Sequence, residues 1–263
     1  MSNFNISVIL ANFNHAQYIS KCLEALLNQK FKPLEIIIID DCSTDNSKII
    51  INKYEKKYQY IRAFFNKKNL GTVSCQNIGL KIARGNFVYF AASDDYILED
   101  FFYEMHKIFL LNKNIHLIVG NALIFDLFEN KRIGIRPIVI PKINSGFITN
   151  LKFKKLLLNA DHFILTGSSL IRISTIKSFG LLDERLESFA DGFLTRIIAL
   201  EYGFFFLNKT VSIWNINEKS FSRLNQINIK KSLLLLKSAT DKINQYTLFP
   251  KSYKKLFQKR WLF

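Results

Sequence analysis

Two adjacent carboxylates, Asp94 and Asp95, close the segment Phe87-Val-Tyr-Phe-Ala-Ala-Ser-Asp-Asp95. The apolar run Phe87 to Ala92, between Arg84-Gly85-Asn86 and charge, predicts a strand buried on both faces. Ligands of open α/β sheets gather beyond the carboxyl ends of the strands. A carboxylate pair at that place suits a divalent cation, and such a cation most often neutralises a phosphate. The competing reading makes Asp94 and Asp95 the cap and first-turn acids of the following helix. Two earlier segments share the pattern: Asn12-Phe13-Asn14 follows Ile6 to Ala11, and Asp40-Asp41 follows Leu34 to Ile39.

Together these strand ends offer a coherent set of groups. An aromatic ring such as Phe13 suits a flat base, for which stacking is worth roughly 1–3 kcal/mol. A carboxylate accepts from the N–H of a base, a second suits ribose hydroxyls, and a third suits a metal on a diphosphate. No glycine-rich phosphate loop is present, so a metal rather than a helix N-terminus would carry the phosphate charge.

The elements that must position these residues follow in order. Ile19, Cys22, Leu23, Leu26 and Leu27 fall at helical spacing between His15 and Gln29. A second helix carries Ile49, Ile50 and Tyr54, with Asp45 as its expected N-cap. Ile61 to Phe65 predicts a strand, and a helix then runs to Arg84, closed by Gly85 as an expected left-handed cap. The resulting β-α-β-α-β-α-β order with short connections is the signature of a parallel sheet. Beyond it the pattern predicts one or two strands over His116–Asp126, a helix over Phe147–Leu158, and an interrupted strand over Phe163–Ile171. A helix near Asp191, two short strands (Phe204–Leu207 and Val211–Trp214) and a helical tail complete the chain.

Bulk composition narrows the class. At 263 residues and 49% hydrophobic content the chain can bury a full core. Cys22, Cys42 and Cys75 form no CxxC pair, which fits a reducing cytosol and argues against a disulfide scaffold or zinc site. The N-terminus lacks the basic region of a signal peptide, and no apolar stretch nears the eighteen or so residues of a membrane span. The net charge is +16, and residues 224–263 hold nine Lys/Arg against one acid, about half of that excess. A basic tail with interleaved aromatics suits an anionic surface; the alternative is a solvated helical face.

Ser7-Val-Ile-Leu-Ala-Asn-Phe-Asn14, Ile39-Asp-Asp-Cys-Ser-Thr-Asp45, Asn69-Leu-Gly71 with Asn77-Ile-Gly79, and Gly85 through Asp95 together resemble the family-2 glycosyltransferases with a GT-A fold. The resemblance covers about the first hundred residues. It implies a nucleotide-sugar donor, a divalent metal and inversion at the anomeric carbon. It implies that the nucleotide lies against Ala11 and Phe13, that Asp41 bonds the base edge, that Asp94 serves the ribose and metal region, and that Asp95 ligates the metal. More weakly, Thr166-Gly-Ser-Ser-Leu-Ile-Arg172, Gly180-Leu-Leu-Asp-Glu184 and Phe189-Ala-Asp-Gly-Phe-Leu-Thr-Arg196 resemble the family's acceptor side, which implies Asp191 as general base, with Glu187 in reserve. The chain departs from the family pattern at Ala92 (commonly an acid), Gln76 (frequently arginine) and Asn217 (commonly histidine).

The expectation is an α/β, GT-A enzyme of residues 1–223, with a nucleotide half (1–114), an acceptor half (115–223) and a basic helical tail (224–263). Its reaction would be metal-dependent (Mn²⁺ or Mg²⁺) inverting transfer from a UDP- or dTDP-sugar to a cell-surface or lipid-linked glycan. The expected location is cytoplasmic, with an anionic membrane surface as candidate partner for the tail; nucleic acid is not expected, and homo-oligomerisation stays open. The rivals are a nucleotidyltransferase, a nucleotide-sugar-binding module without turnover, and a nucleic-acid binder resting on the tail.

Overall fold

A computed structural model of the chain describes residues 4–137, 143–159, 164–216 and 229–261. Asn217, His162 and Phe263, and the side chain of Trp261, lie outside the described residues.

The first half is a parallel α/β unit. β1 (Ile6–Asn12) lies between β2 (Glu35–Asp40) and β4 (Phe87–Ala92), both parallel to it, and β3 (Ile61–Phe65) flanks β2. These strands are continuous apolar runs because both faces are covered. Side-chain alternation splits β1 between two cores: Ile6, Val8 and Leu10 meet α1 (Ala16–Leu27) and α4 (Phe101–Leu111), whereas Ile9 packs with α3 (Thr72–Ile82). α2 (Ser47–Lys57) adds Ile51 to the first core.

The second half extends the same sheet with antiparallel members. β5 (Tyr96–Ile97), β6 (Leu117–Asp126), β7 (Lys131–Arg136), β8 (Gly146–Ile148), β9 (Ser169–Arg172) and β10 (Phe204–Ile216) join it in the order β3-β2-β1-β4-β9-β6-β10-β5, with β7 beside β6 and β8 beside β10. The helices of this half are α5 (Asn150–Asn159), α6 (Ile173–Ser178), α7 (Ala190–Tyr202), α8 (Ile229–Gln245) and α9 (Lys251–Trp261).

Several local expectations are corrected. Gly85 is not a left-handed cap, since α3 ends at Ile82; a Cβ at Gly85 would sit 2.7 Å from the Ser7 nitrogen and 2.8 Å from the Asn5 carbonyl oxygen. The glycine therefore serves a close backbone approach. The cap position of α2 falls on Asn46, whose side chain makes no cap bond; the Asp45 carboxylate does the capping, accepting from Ser47 N and from Ala16 N, both at 2.9 Å, and so ties the starts of α1 and α2 together. Phe147 belongs to β8, and its helix starts at Asn150. Residues 204–216 form one strand, which passes Asn208-Lys209 through shifts in its register with β6 rather than a turn.

The tail is packed inward. Leu235, Ala239, Ile243, Phe249, Tyr253 and Phe257 are buried in the core that also holds Phe193, Leu194 and Ile197 of α7. Tyr253 is fully buried and stacks on Phe249 with centroids 5.4 Å apart. Lys251, Lys255 and Lys259 stay exposed on the outer side of α9.

Candidate active site

The strand order brings three strand ends to one edge at one level. Asn12 is in register with Asp40, and Ala11 with both Ile39 and Ala92. A buried polar network fixes this edge: Asn12 Nδ2 donates to Asp40 at 2.8 Å, Ser43 Oγ donates to Asp40 at 2.6 Å, and Ser93 Oγ donates to Asn12 Oδ1 at 2.9 Å. Above it Phe13 is 44% exposed, a ring facing solvent where a core residue would be buried. The loop after Asp41 turns through Cys42 at φ +65°, a left-handed conformation that favours glycine.

Asp41 is buried, and its carboxylate already accepts from Asn66 Nδ2 and Leu70 N at 2.8 Å and from Gly71 N at 2.7 Å. It thus ties the Asn69-Leu-Gly71 turn to the end of β2. The Cys75 thiol is a fourth partner of this carboxylate, so a further donor would share or displace one of the four.

Asp94 and Asp95 do not start α4, which begins at Phe101 after β5. They are held instead by Asn215 of β10, whose backbone N–H donates to Asp95 Oδ1 at 2.8 Å and whose side-chain amide donates to the Asp94 carbonyl at 2.6 Å. Burial, with the adjacent Asp94 charge adding, pushes the Asp95 carboxyl well above its ordinary range. Beneath them Cys22 Sγ donates to the Ala92 carbonyl at 3.3 Å; burial pushes its thiol up, and the charges of Asp95 and Asp94 add to that.

Among the described residues no group of three or more His, Cys, Asp or Glu side chains gathers. The donor set at this edge is nevertheless suitable for a hard cation. Mg²⁺-like sites commonly use one or two carboxylates and complete the shell with substrate phosphates and water, and a positive charge would offset the repulsion that Asp94 adds to the burial of Asp95. Asp95 with Asp94 therefore fits such a cation.

Asp191 arrives from the other half of the molecule. It sits in the first turn of α7, whose cap position is Phe189, and its Oδ1 accepts from Gly192 N at 2.6 Å. Burial raises its carboxyl; a hydrogen bond from the Thr166 hydroxyl, the Gly192 N–H and the Arg196 charge oppose that rise. Thr166 opens a short 3-10 turn (Thr166–Ser168), and the next residue, Gly167, has space for a Cβ only 4.0 Å from Asp95 Oδ2. Tyr89 supports the turn from below, its hydroxyl donating to the Gly167 carbonyl at 3.3 Å. The structure thus brings Asp191 and Asp95 to neighbouring residues of one turn. Glu187, at φ +40°, is drawn the other way into an ion pair with Lys231 of α8 at 3.0 Å.

The Glycosyl transferase family 2 model matches residues 7–173. The chain belongs to glycosyltransferase family 2. It is 36% identical over 126 residues to an uncharacterized glycosyltransferase of Haemophilus influenzae, covering 48% of this chain and 50% of that protein. It is 40% identical over 95 residues to the poly(ribitol-phosphate) beta-glucosyltransferase of Bacillus spizizenii, covering 35% of this chain and 15% of that one. The chain thus spans half the length of the first relative and far less of the second. In fold it is similar to residues 1–349 of S. aureus TarS in complex with UDP-GlcNAc, with a TM-score of 0.74 at 20% identity, covering 98% of this chain and 71% of that one. That likeness carries the GT-A architecture of this family 2 chain, with a helical C-terminal part.

Asn215 and Thr166 escaped the sequence reading. Thr166 stood in a quoted motif without a role of its own. Asn215 lies within Trp214-Asn-Ile-Asn217, a stretch read only for Asn217, and the pairing of β10 with β5 brings it to the acids.

Proposed function

We propose that this chain transfers a sugar, with inversion, from a nucleoside-diphosphate sugar of UDP or dTDP type to a hydroxyl of a growing cell-surface glycan. The observation that supports this most is the meeting of Asp95 and Asp191 at the Thr166–Gly167 turn, beside the strand ends that carry Ala11, Phe13 and Asp41. In this reading the base lies on the Phe13 ring against Ala11, with a base N–H directed at Asp41. Asp94 takes the ribose side. A divalent cation would be held by Asp95 with Asp94, and when bound it offsets the charge developing on the leaving diphosphate.

The protein's own chemistry is then proton transfer. The acceptor hydroxyl attacks the anomeric carbon on the face opposite the diphosphate, forming the new C–O bond as the old one breaks, and its proton passes to an Asp191 carboxylate oxygen. A raised carboxyl is a stronger base than an ordinary aspartate, and its burial keeps water from competing for the proton. The acceptor class is supported by the family and by the Bacillus relative, whose name places it on a poly(ribitol-phosphate) polymer.

A thermal-shift panel of nucleotide sugars with and without Mn²⁺ tests this reading. One donor should raise the melting temperature in the presence of metal, and Asp95→Asn should abolish the metal-dependent part. If no nucleotide sugar stabilises the protein, the reading is wrong. A donor that stabilises it but never releases nucleoside diphosphate, even with acceptor glycans, would leave a binding module.

A further inference from the structure

Arg136 is a cation that the donor site does not use. It ends β7 opposite Ala122 of β6, and its guanidinium lies over the Trp214 indole, 4.9 Å from the ring centroid. Its Nε is buried and has no hydrogen-bond partner. Other arginines of the fold are satisfied: Arg62 and Arg84 share the buried Glu35, Arg185 pairs with Asp183, and Arg172 donates to the Ile115 and Lys113 carbonyls. Desolvation lowers the Arg136 guanidinium. Leaving a buried N–H of a cation without a hydrogen bond is costly, so this arginine is poised for an anion from outside the chain.

Its position is specific. Ser168 Oγ anchors the Thr166–Ser168 turn to the Gly120 carbonyl at 2.8 Å, and Arg136 stands opposite Ala122, two residues further along β6. Two residues of strand span about 7 Å. Arg136 therefore lies next to the turn where Asp191 and Asp95 meet. Trp214, which it covers, directly precedes the Asn215 that holds the acids. Phe13 and Asp41 lie on the far side, at the ends of β1 and β2.

We propose that Arg136, backed by Trp214, is a subsite for an oxyanion on the acceptor, a phosphate being the group its planar fork fits in bidentate fashion. The acceptor is then an anionic chain that presents its hydroxyl to Asp191 while a phosphate nearby rests on Arg136. This rests on reading the Asp191 side as the acceptor side.

Trp214 supplies the readout. In a Trp261→Phe background it is the sole tryptophan, and inorganic phosphate titrated at constant ionic strength should change its emission saturably. Arg136→Gln should weaken that response at least tenfold, and Arg136→Lys, which keeps the charge without the fork, should weaken it less. Saturating UDP with Mn²⁺ should leave the response in place. The nucleotide-induced thermal shift of Arg136→Gln should persist. An absent response, an equal response in Arg136→Gln, or a response displaced by UDP would overturn the proposal; in the last case the arginine reads the donor diphosphate. Failure of the donor reading shows separately, as a missing nucleotide-induced shift.

Discussion

The backbone N–H of Asn215 donates to the Asp95 carboxylate at 2.8 Å while its side-chain amide holds the Asp94 carbonyl at 2.6 Å. One residue of β10 thus holds the Asp95 carboxylate and the Asp94 backbone beyond the end of β4, the former across 120 positions of sequence. Asn215→Ala removes the side-chain half of this clamp and leaves the backbone half. Groups that orient metal ligands typically contribute about 10–100-fold to affinity. Calorimetric titration of the nucleotide sugar with Mn²⁺ should therefore show about tenfold weaker binding, with metal-free nucleotide affinity little changed.

Asp191 gives a prediction whose sign can be worked out. Burial raises its folded-state value, so between the ordinary aspartate range near 4 and the raised value the folded protein binds more protons than the unfolded chain, and stability falls as pH rises through that window. Asp191→Asn should accordingly melt at least as high as the parent at pH 7. Turnover should fall by about 10²–10⁴, the usual contribution of a positioned base, with donor binding retained. In the parent, kcat/KM should rise with pH along an acid limb lying above the ordinary aspartate value, then level off. A limb at the ordinary value would remove Asp191 from the role.

Cys42 carries positive φ at +65° immediately after Asp41. The left-handed conformation costs an L-residue about 1–2 kcal/mol, part of which glycine returns through its larger unfolded-state entropy. Chemical denaturation of Cys42→Gly should show stabilisation of up to about 1 kcal/mol, with unchanged nucleotide binding.

The tail separates packing from charge. Tyr253→Ala should cost about 3–5 kcal/mol in denaturant unfolding, the range for deleting a large buried aromatic. Exchanging exposed Lys251, Lys255 and Lys259 for Gln should change stability by no more than about 0.5 kcal/mol each. Sedimentation with anionic liposomes then tests the basic surface without disturbing the core: the triple variant should bind less, and equal binding would exclude this face as the contact.

Runs such as Ile36–Ile39 and the helical spacing of Ile19, Cys22, Leu23 and Leu26 made the parallel half legible in the sequence, because a strand covered on both faces and a one-sided helix leave strong periodic signals. The acids Asp94 and Asp95 were legible as a candidate site because they end such a strand. What could not be read were relationships made only by tertiary approach. Gly85 is required by the backbone of Ser7, not by its own turn. Asn215 and Arg136 acquire their surroundings through the pairing of β10 with β5 and of β7 with β6. Phe249, Tyr253 and Phe257 do recur at four-residue spacing, a stripe suited to a core, yet the lysines around them suggested a membrane face.

The central claim is that ring, acids and base surround one activated sugar. A crystal structure of the protein with UDP and Mn²⁺ measures this most directly. The account predicts the uracil on Phe13 with its edge toward Asp41, the cation on Asp95, and the diphosphate directed at the turn that holds Asp191. A nucleotide bound away from Phe13, or a cation with no contact to Asp95, would contradict it.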